Sequence, residues 1–182
     1  MKLWKHFKTI TKHRILVMQG CFKVGLYWQG LTHDLSKYSP TEFFNGVRYF
    51  QGYRSPITAE REENGYSEAW MHHKGRNRHH YEYWTDMNLE KRQYETLPMP
   101  LKDLVEMVMD RRAASMTYRG KEYTDAFPLE YQLTSKDRPL MNEKTRRELE
   151  YILTMLKEEG EEKTFRYLKN EVLKGKPFPW ES

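Results

Sequence analysis

The amino-acid sequence predicts an all-α fold. Apolar residues recur at three- and four-residue spacings in several stretches, residues that start helices precede them, and no alternating strand pattern competes. From about Phe7 to Trp28, Ile10, Ile15, Val17, Met18, Phe22 and Leu26 keep helical spacing, so one helix or two in succession open the chain despite Gly20 and Gly25. "SPTE" at 39–42 reads as a capping box, with Ser39 at the cap, Pro40 at the first helical position and Glu42 three after the cap; a helix to about Phe50 follows.

"GYRSPITAEREENGYS" reads as a loop with at most a short helix. Ser67 can cap a helix through "EAWMHH", broken by Gly75, and "NRHHYEYWTDM" reads as a further helical turn or two. Pro100 then opens the clearest helix in the chain, with Leu101, Leu104, Val105, Val108 and Met109 on one face and Gly120 closing it. After a loop containing "FPLEYQL", a C-terminal pair is expected: Leu149, Ile152, Leu153 and Leu156 form one stripe, Gly160 interrupts it, and Phe165, Leu168 and Val172 form another. The tail "KGKPFPWES" carries no pattern that assigns it a role.

A chain of 182 residues fits one domain with a sizeable core, to which aromatic residues, 14% of the total, contribute much of the apolar area. The net charge of +5, from 31 basic and 26 acidic residues mixed along the chain, favours anionic ligands without naming one. Nucleic acid is thus permitted but not indicated. Cys21 cannot form an intrachain disulfide and reads as a small buried hydrophobe, in keeping with a reducing cytosol. No apolar run approaches the roughly 18 residues that span a membrane, and the basic N-terminus has no signal-peptide core, so a cytoplasmic protein without a membrane partner is expected.

The informative residues are the histidines. Of seven, five lie in two clusters: His33 beside Asp34 in "LTHDLSKYS", and His72, His73, His79 and His80 in "HHKGRNRHH". Imidazole with carboxylate suits a divalent transition metal such as iron, manganese, zinc or nickel, whereas an all-oxygen set would suit magnesium or calcium. Adjacent side chains on a helix diverge by about 100°, so His33 and Asp34 reach one ion only across a groove or at a distorted helix end. His73 and His80 would align on a continuous helix, or converge if Gly75 and Asn77 make a tight turn. The plainer alternatives are a charge-paired helix end beside Lys37, a surface ion pair of Asp110 with Arg111 or Arg112, a turn asparagine at Asn77, and core aromatics in "YEYW".

The order His13, then His33-Asp34, then two histidine doublets, then Asp110 within a long helix resembles the HD-domain metal-dependent phosphohydrolases, an all-α family. "HDLSK" is similar to their HD-x-GK form, with Ser36 where many members have glycine, and "MHHKGRN" followed by "HH" is similar to the extra histidine segment of two-metal members, without their GYP ending. The whole chain also resembles a bacterial and phage family carrying "HDLSK", "HKGRNRHHYEYW" and "MPLKDLVEMVMD" in this order, which supports the site and not a reaction.

The resemblance implies an HD-like helical bundle over residues 1–135, with 136–182 a helical extension packed on the same domain. It implies that His13, His33, Asp34 and Asp110 bind one metal, that His73, His79 and His80 complete a second, and that Lys37 faces the substrate phosphate. On this reading one or two ions activate water for attack on a phosphomonoester or phosphodiester, nucleotides leading. Asp34 also orients the nucleophile, Lys37 and Arg76 neutralise phosphate charge, and Arg76 and Asn77 position the substrate. The rival readings are a di-iron oxygenase-type enzyme of the HD superfamily and a non-catalytic, metal-stabilised module that binds nucleic acid.

Overall fold

The computed structural model describes residues 1–181; Ser182, last in the expected extension and in the tail, lies outside them. Among the described residues the chain forms eight α-helices and one two-stranded hairpin: α1 Lys2–Val24, α2 Tyr27–Thr32, α3 Pro40–Tyr49, α4 Pro56–Asn64, α5 Glu68–Lys74, β1 Thr85–Asn88, β2 Gln93–Thr96, α6 Leu101–Arg119, α7 Phe127–Thr134 and α8 Glu143–Asn170. The fold is all-α, as expected from the helical spacings.

Helix α1 buries His6, Ile10, His13, Val17, Gly20, Cys21 and Val24, a three-and-four repeat facing α6 and α2. This is not the expected face: Ile15 and Phe22 point outward, and two histidines and a glycine occupy the inner stripe instead. Gly20 is there because the helices approach closely; a Cβ at this position would lie 2.7 Å from Met109 Sδ. Gly25, at φ 90°, ends the helix, with the Leu26 amide donating to the Cys21 carbonyl and the Gly25 amide to that of Phe22.

Helix α6 is the central element. Asp103 to Met109 are all buried, so the expected single apolar face is replaced by burial all round. It packs on α1 along one side and on α7 and α8 along the other. Leu149, Ile152, Leu153 and Leu156 of α8 are fully buried against it, each contributing about 1.5–3 kcal/mol by leaving water. The helix breaks at Gly160, whose φ of 78° and ψ of 174° no helical residue adopts, and Phe165 and Leu168 resume the buried stripe beyond. One core includes residues from Val17 to Phe178. The tail belongs to it: Phe178 is 1% exposed, stacks on Trp180, and both meet Tyr151 of α8.

Three segments differ from expectation. "FPLEYQL" is helix α7, started by Pro128 in its first turn, not loop. Residues 56–64 form a full nine-residue helix with Pro56 at its start. The stretch after His80 makes a single 3-10 turn, Tyr81–Tyr83, and then enters the hairpin, with Thr85 opposite Thr96 and Asn88 opposite Gln93. The Asn88 side chain accepts from the Glu90 and Lys91 amides, and Arg92 takes φ 52° to close the turn. Both strands are largely solvated, so no buried face imposes an alternating pattern.

Candidate metal centre

Four separate segments bring their histidines and carboxylates to one place. His13 comes from the buried stripe of α1, one turn from Ile10 and from Val17. His33 ends α2, and Asp34 follows with a left-handed φ of 53°. This break, rather than a regular helix, lets the adjacent side chains converge, with His33 Nε2 3.3 Å from Asp34 Oδ2. Aspartate tolerates that backbone better than most residues, and such conformations concentrate at functional sites. Arg14 secures the break: its Nε donates to the His33 carbonyl at 3.0 Å and its Nη2 to that of Leu31.

His73 lies in the last turn of α5, which Ser67 caps by accepting from the Trp70 amide. The chain then turns tightly. The Arg76 and Asn77 amides both donate to the His73 carbonyl, and His80 comes back so that its Nε2 is 2.9 Å from His73 Nε2. The tight-turn alternative is therefore the one adopted, although Gly75 stays in the right-handed helical region. Asp110 projects from α6, with Oδ1 3.0 Å from His13 Nε2 and 3.5 Å from His33 Nε2.

These atoms form two groups, each of which could hold a metal ion: His13, His33, Asp34 and Asp110, and Asp34, His73, His79 and His80. Asp34 belongs to both, through different oxygens. Its Oδ2 faces His13 and His33, at 3.6 and 3.3 Å, while its Oδ1 faces His73 and His79, at 3.2 and 3.5 Å. A third group, His33, His79 and Glu106, shares the same imidazoles. There the Nδ1 atoms of His33 and His79 donate to Glu106 Oε1, at 2.8 and 3.2 Å, which makes Glu106 an orienting carboxylate rather than a further ligand.

Glu42 does the same on the opposite side. The expected capping box is half formed: Ser39 accepts from the Glu42 amide, but the Glu42 carboxylate does not turn back to the cap. It accepts from His72 Nδ1 at 2.6 Å and His73 Nδ1 at 2.7 Å. With Nδ1 of His33, His73 and His79 directed at carboxylates, the Nε2 atoms are left to face the cluster.

The donor set fits a divalent transition cation. His13 Nε2, His33 Nε2, His79 Nε2 and both Asp34 oxygens are buried and have no hydrogen bond of acceptable geometry, and all five are atoms of the two groups. Buried polar atoms left this way are costly unless something completes them. Charge points the same way. Burial would raise the pKa values of Asp34, Asp110, Glu106 and Glu42, yet the neighbouring imidazoles, with Lys37 beside Asp34, outweigh it and hold all four below the usual carboxylate range. Against four buried carboxylates stands one lysine, Lys37, with Nζ 2.5 Å from Asp34 Oδ2.

The imidazoles are poised differently from one another. Burial opposes charge on His33, but the Asp34 charge, with Asp110 nearby and the hydrogen bond to Glu106, drives its pKa well above the ordinary value. His73 moves in the same direction, Asp34 and Glu42 overcoming burial. His80 goes the other way: burial, then repulsion by His79 and His73, holds it neutral.

The cluster opens on a cavity of about 800 Å³, lined by His13, Lys37, His73, His80 and Asp110 among others. Two of the expected substrate residues do not reach it. Arg76 is exposed and donates to the His72 carbonyl at the end of α5. Asn77 is buried behind the cluster, donating to Ser36 Oγ and the His73 carbonyl, so it positions His73 rather than a substrate. His72 likewise stays outside both donor groups. Glu42 and Glu106 are the residues the sequence reading lacks; Glu106 was accessible as the acid one helical turn before Asp110, whereas Glu42 was concealed by its fit to a capping motif.

The chain belongs to a family described as a family of unknown function (DUF5662), matched over residues 2–155, a span containing every residue of the cluster. No curated protein and no solved structure matches it. No helix among the described residues is long and apolar enough to cross a membrane.

Proposed function

We propose that this protein is a metal-dependent phosphohydrolase of the HD-domain type, acting in the cytoplasm on a small phosphomonoester or phosphodiester, with nucleotides the leading class. The observation that carries this reading is the set of five buried donor atoms without a hydrogen bond, shared between two groups through Asp34, beside a large cavity with several basic side chains. His13, His33, Asp34 and Asp110 would hold one divalent transition ion, iron, manganese, zinc or nickel, and Asp34, His73, His79 and His80 a second. Bound there, such ions supply a Lewis acid for a phosphoryl oxygen and lower the pKa of water into the neutral range.

The chain's own residues do the rest. Lys37, beside Asp34 and lining the cavity, neutralises charge that develops on the phosphate oxygens. Glu106 and Glu42 hold the imidazoles in the tautomer that directs Nε2 inward. Asp34, buried and ionised, fixes the two donor groups relative to one another.

Elemental analysis of protein purified without chelator or affinity tag tests the site, with Asp34→Ala and Asp110→Ala as controls. One or two equivalents of a transition metal, lost in the controls, together with phosphate release from a panel of nucleotides and simple phosphate esters, is the expected result. Full metal content and full hydrolysis in Asp34→Ala would overturn the proposal. Oxygen consumption without phosphate release would replace it with the oxidative alternative.

A further inference from the structure

We propose that the cavity holds a second phosphate group of the same substrate, at Arg111 and away from the metal centre; this rests on the phosphohydrolase reading and specifies its substrate as a molecule carrying two phosphates. Six basic side chains line the cavity: Lys37, Arg54, Arg61, Arg111, Arg119 and Arg138. Three are already matched, Lys37 with Asp34, Arg54 with both oxygens of Glu62, and Arg138 with both oxygens of Glu150. Among the described residues Arg61, Arg111 and Arg119 form no ion pair, although Glu82, Glu130 and Asp137 also line the cavity.

Each of these three arginines rests on an aromatic ring instead, Arg61 on Trp70 at 5.4 Å, Arg111 on Tyr131 at 5.6 Å and Arg119 on Phe127 at 4.5 Å. Stacking occupies the face of a guanidinium and leaves its N–H edge available for an oxyanion.

Arg111 is distinct among them. Its Nε and Nη1 are sealed from solvent without an acceptor, which leaves Nη2 as the nitrogen it can present to an anion in the cavity. A half-buried guanidinium with no carboxylate against it is expensive, and a phosphate oxygen that accepts from Nη2 supplies the missing charge. Position adds the second point of attachment. Arg111 directly follows Asp110 on α6, the most deeply buried helix, so ligand-facing groups of both kinds are set on one rigid turn lining one cavity. A substrate with one phosphate at the metals and another at Arg111 is held at both ends, which fixes the scissile bond in orientation.

The test uses the metal-loaded protein and non-hydrolysable probes: a length series of alkane-1,n-bisphosphonates against alkyl monophosphonates of the same length, titrated calorimetrically. At a preferred length the bisphosphonate should bind at least about tenfold more tightly, the effect of one charge-assisted hydrogen-bonded contact. Arg111→Gln should abolish that advantage while leaving monophosphonate affinity and metal content unchanged, and Arg111→Lys, which keeps the charge but not the planar group resting on Tyr131, should retain only part of it. Equal affinity of the two probe classes at every length, or an undiminished advantage in both variants, would overturn the inference. Because binding is read without turnover, absence of hydrolysis by the loaded protein would sink the reaction assigned above and not this site.

Discussion

Glu106 holds one imidazole of each donor group through a single oxygen, so two cation positions built on them should not be separable at this residue. Glu106→Gln keeps the size and one acceptor but loses the charge that favours Nδ1–H on both His33 and His79. Both positions should lose affinity by about 10- to 100-fold, measured by chelator competition followed by elemental analysis. Loss confined to one position, or none, would mean that the shared carboxylate does not orient both rings. A different titration belongs to His6, which lies apart from the cluster between Phe43 and Phe50 and so close to α3 that only Gly46 leaves room for it. Burial, then the Lys37 charge, lowers its pKa from 6.5 to about 4. The unfolded chain therefore takes up this proton before the folded one does. The stability involved is intact above pH 6.5, falls as the pH drops towards 4, and amounts to about 3 kcal/mol. In His6→Gln that part of the acid slope of the melting temperature should vanish; an unchanged slope would assign acid sensitivity to other groups.

At the scale of elements, the approach of α1 to α6 sets the distance across which His13 meets Asp110, and Gly20 is its spacer. A glycine inside a helix costs about 1 kcal/mol relative to alanine, so its presence needs a packing reason, and Met109 provides one. Gly20→Val should destabilise by about 1–3 kcal/mol through overpacking, read from denaturant midpoints. If the separation matters to the site, metal affinity should fall as well. Most helices were legible because Ser39 and Ser67, the prolines near helix starts, and the closing glycines act locally on the backbone. What was not legible depends on distant partners. The inner face of α1 is chosen by α6 and by the metal cluster, which is why His13 and Gly20 displace Ile15 and Phe22 from it. The hairpin has no buried face to write a pattern, and Phe178 docks on α8 by tertiary packing that its short, proline-flanked segment does not announce. The site was legible in its donors, because His33-Asp34 and the histidine doublets are unusual as composition alone. Their orienting carboxylates were not, since an isolated glutamate reads as surface until a histidine is found against it.

For the molecule as a whole, the candidate metal centre is a point of long-range closure. Its donors come from residues 13, 33–34, 73–80 and 110, that is from α1, the end of α2, the end of α5 with the turn after it, and α6. Without a cation, four ionised carboxylates, three of them buried and Asp110 partly so, lie beside one lysine, and protons on His33 and His73 help to offset them. A divalent ion would replace those protons and tie four chain segments together, which the unfolded chain cannot present jointly. Binding should thus couple directly to folding: at a free metal concentration one hundred times the dissociation constant, the folded state gains about 2.7 kcal/mol for one ion. Chelation should lower the melting temperature by several degrees, restored by the metal found in the purified protein. The control is Asp34→Asn, which removes the charge common to both donor groups while preserving shape. Its melting temperature should no longer respond to metal. A response as large as that of the wild type would place the stabilising cation elsewhere, and the convergence on Asp34 would then be a buried ion-pair network with no metal in it.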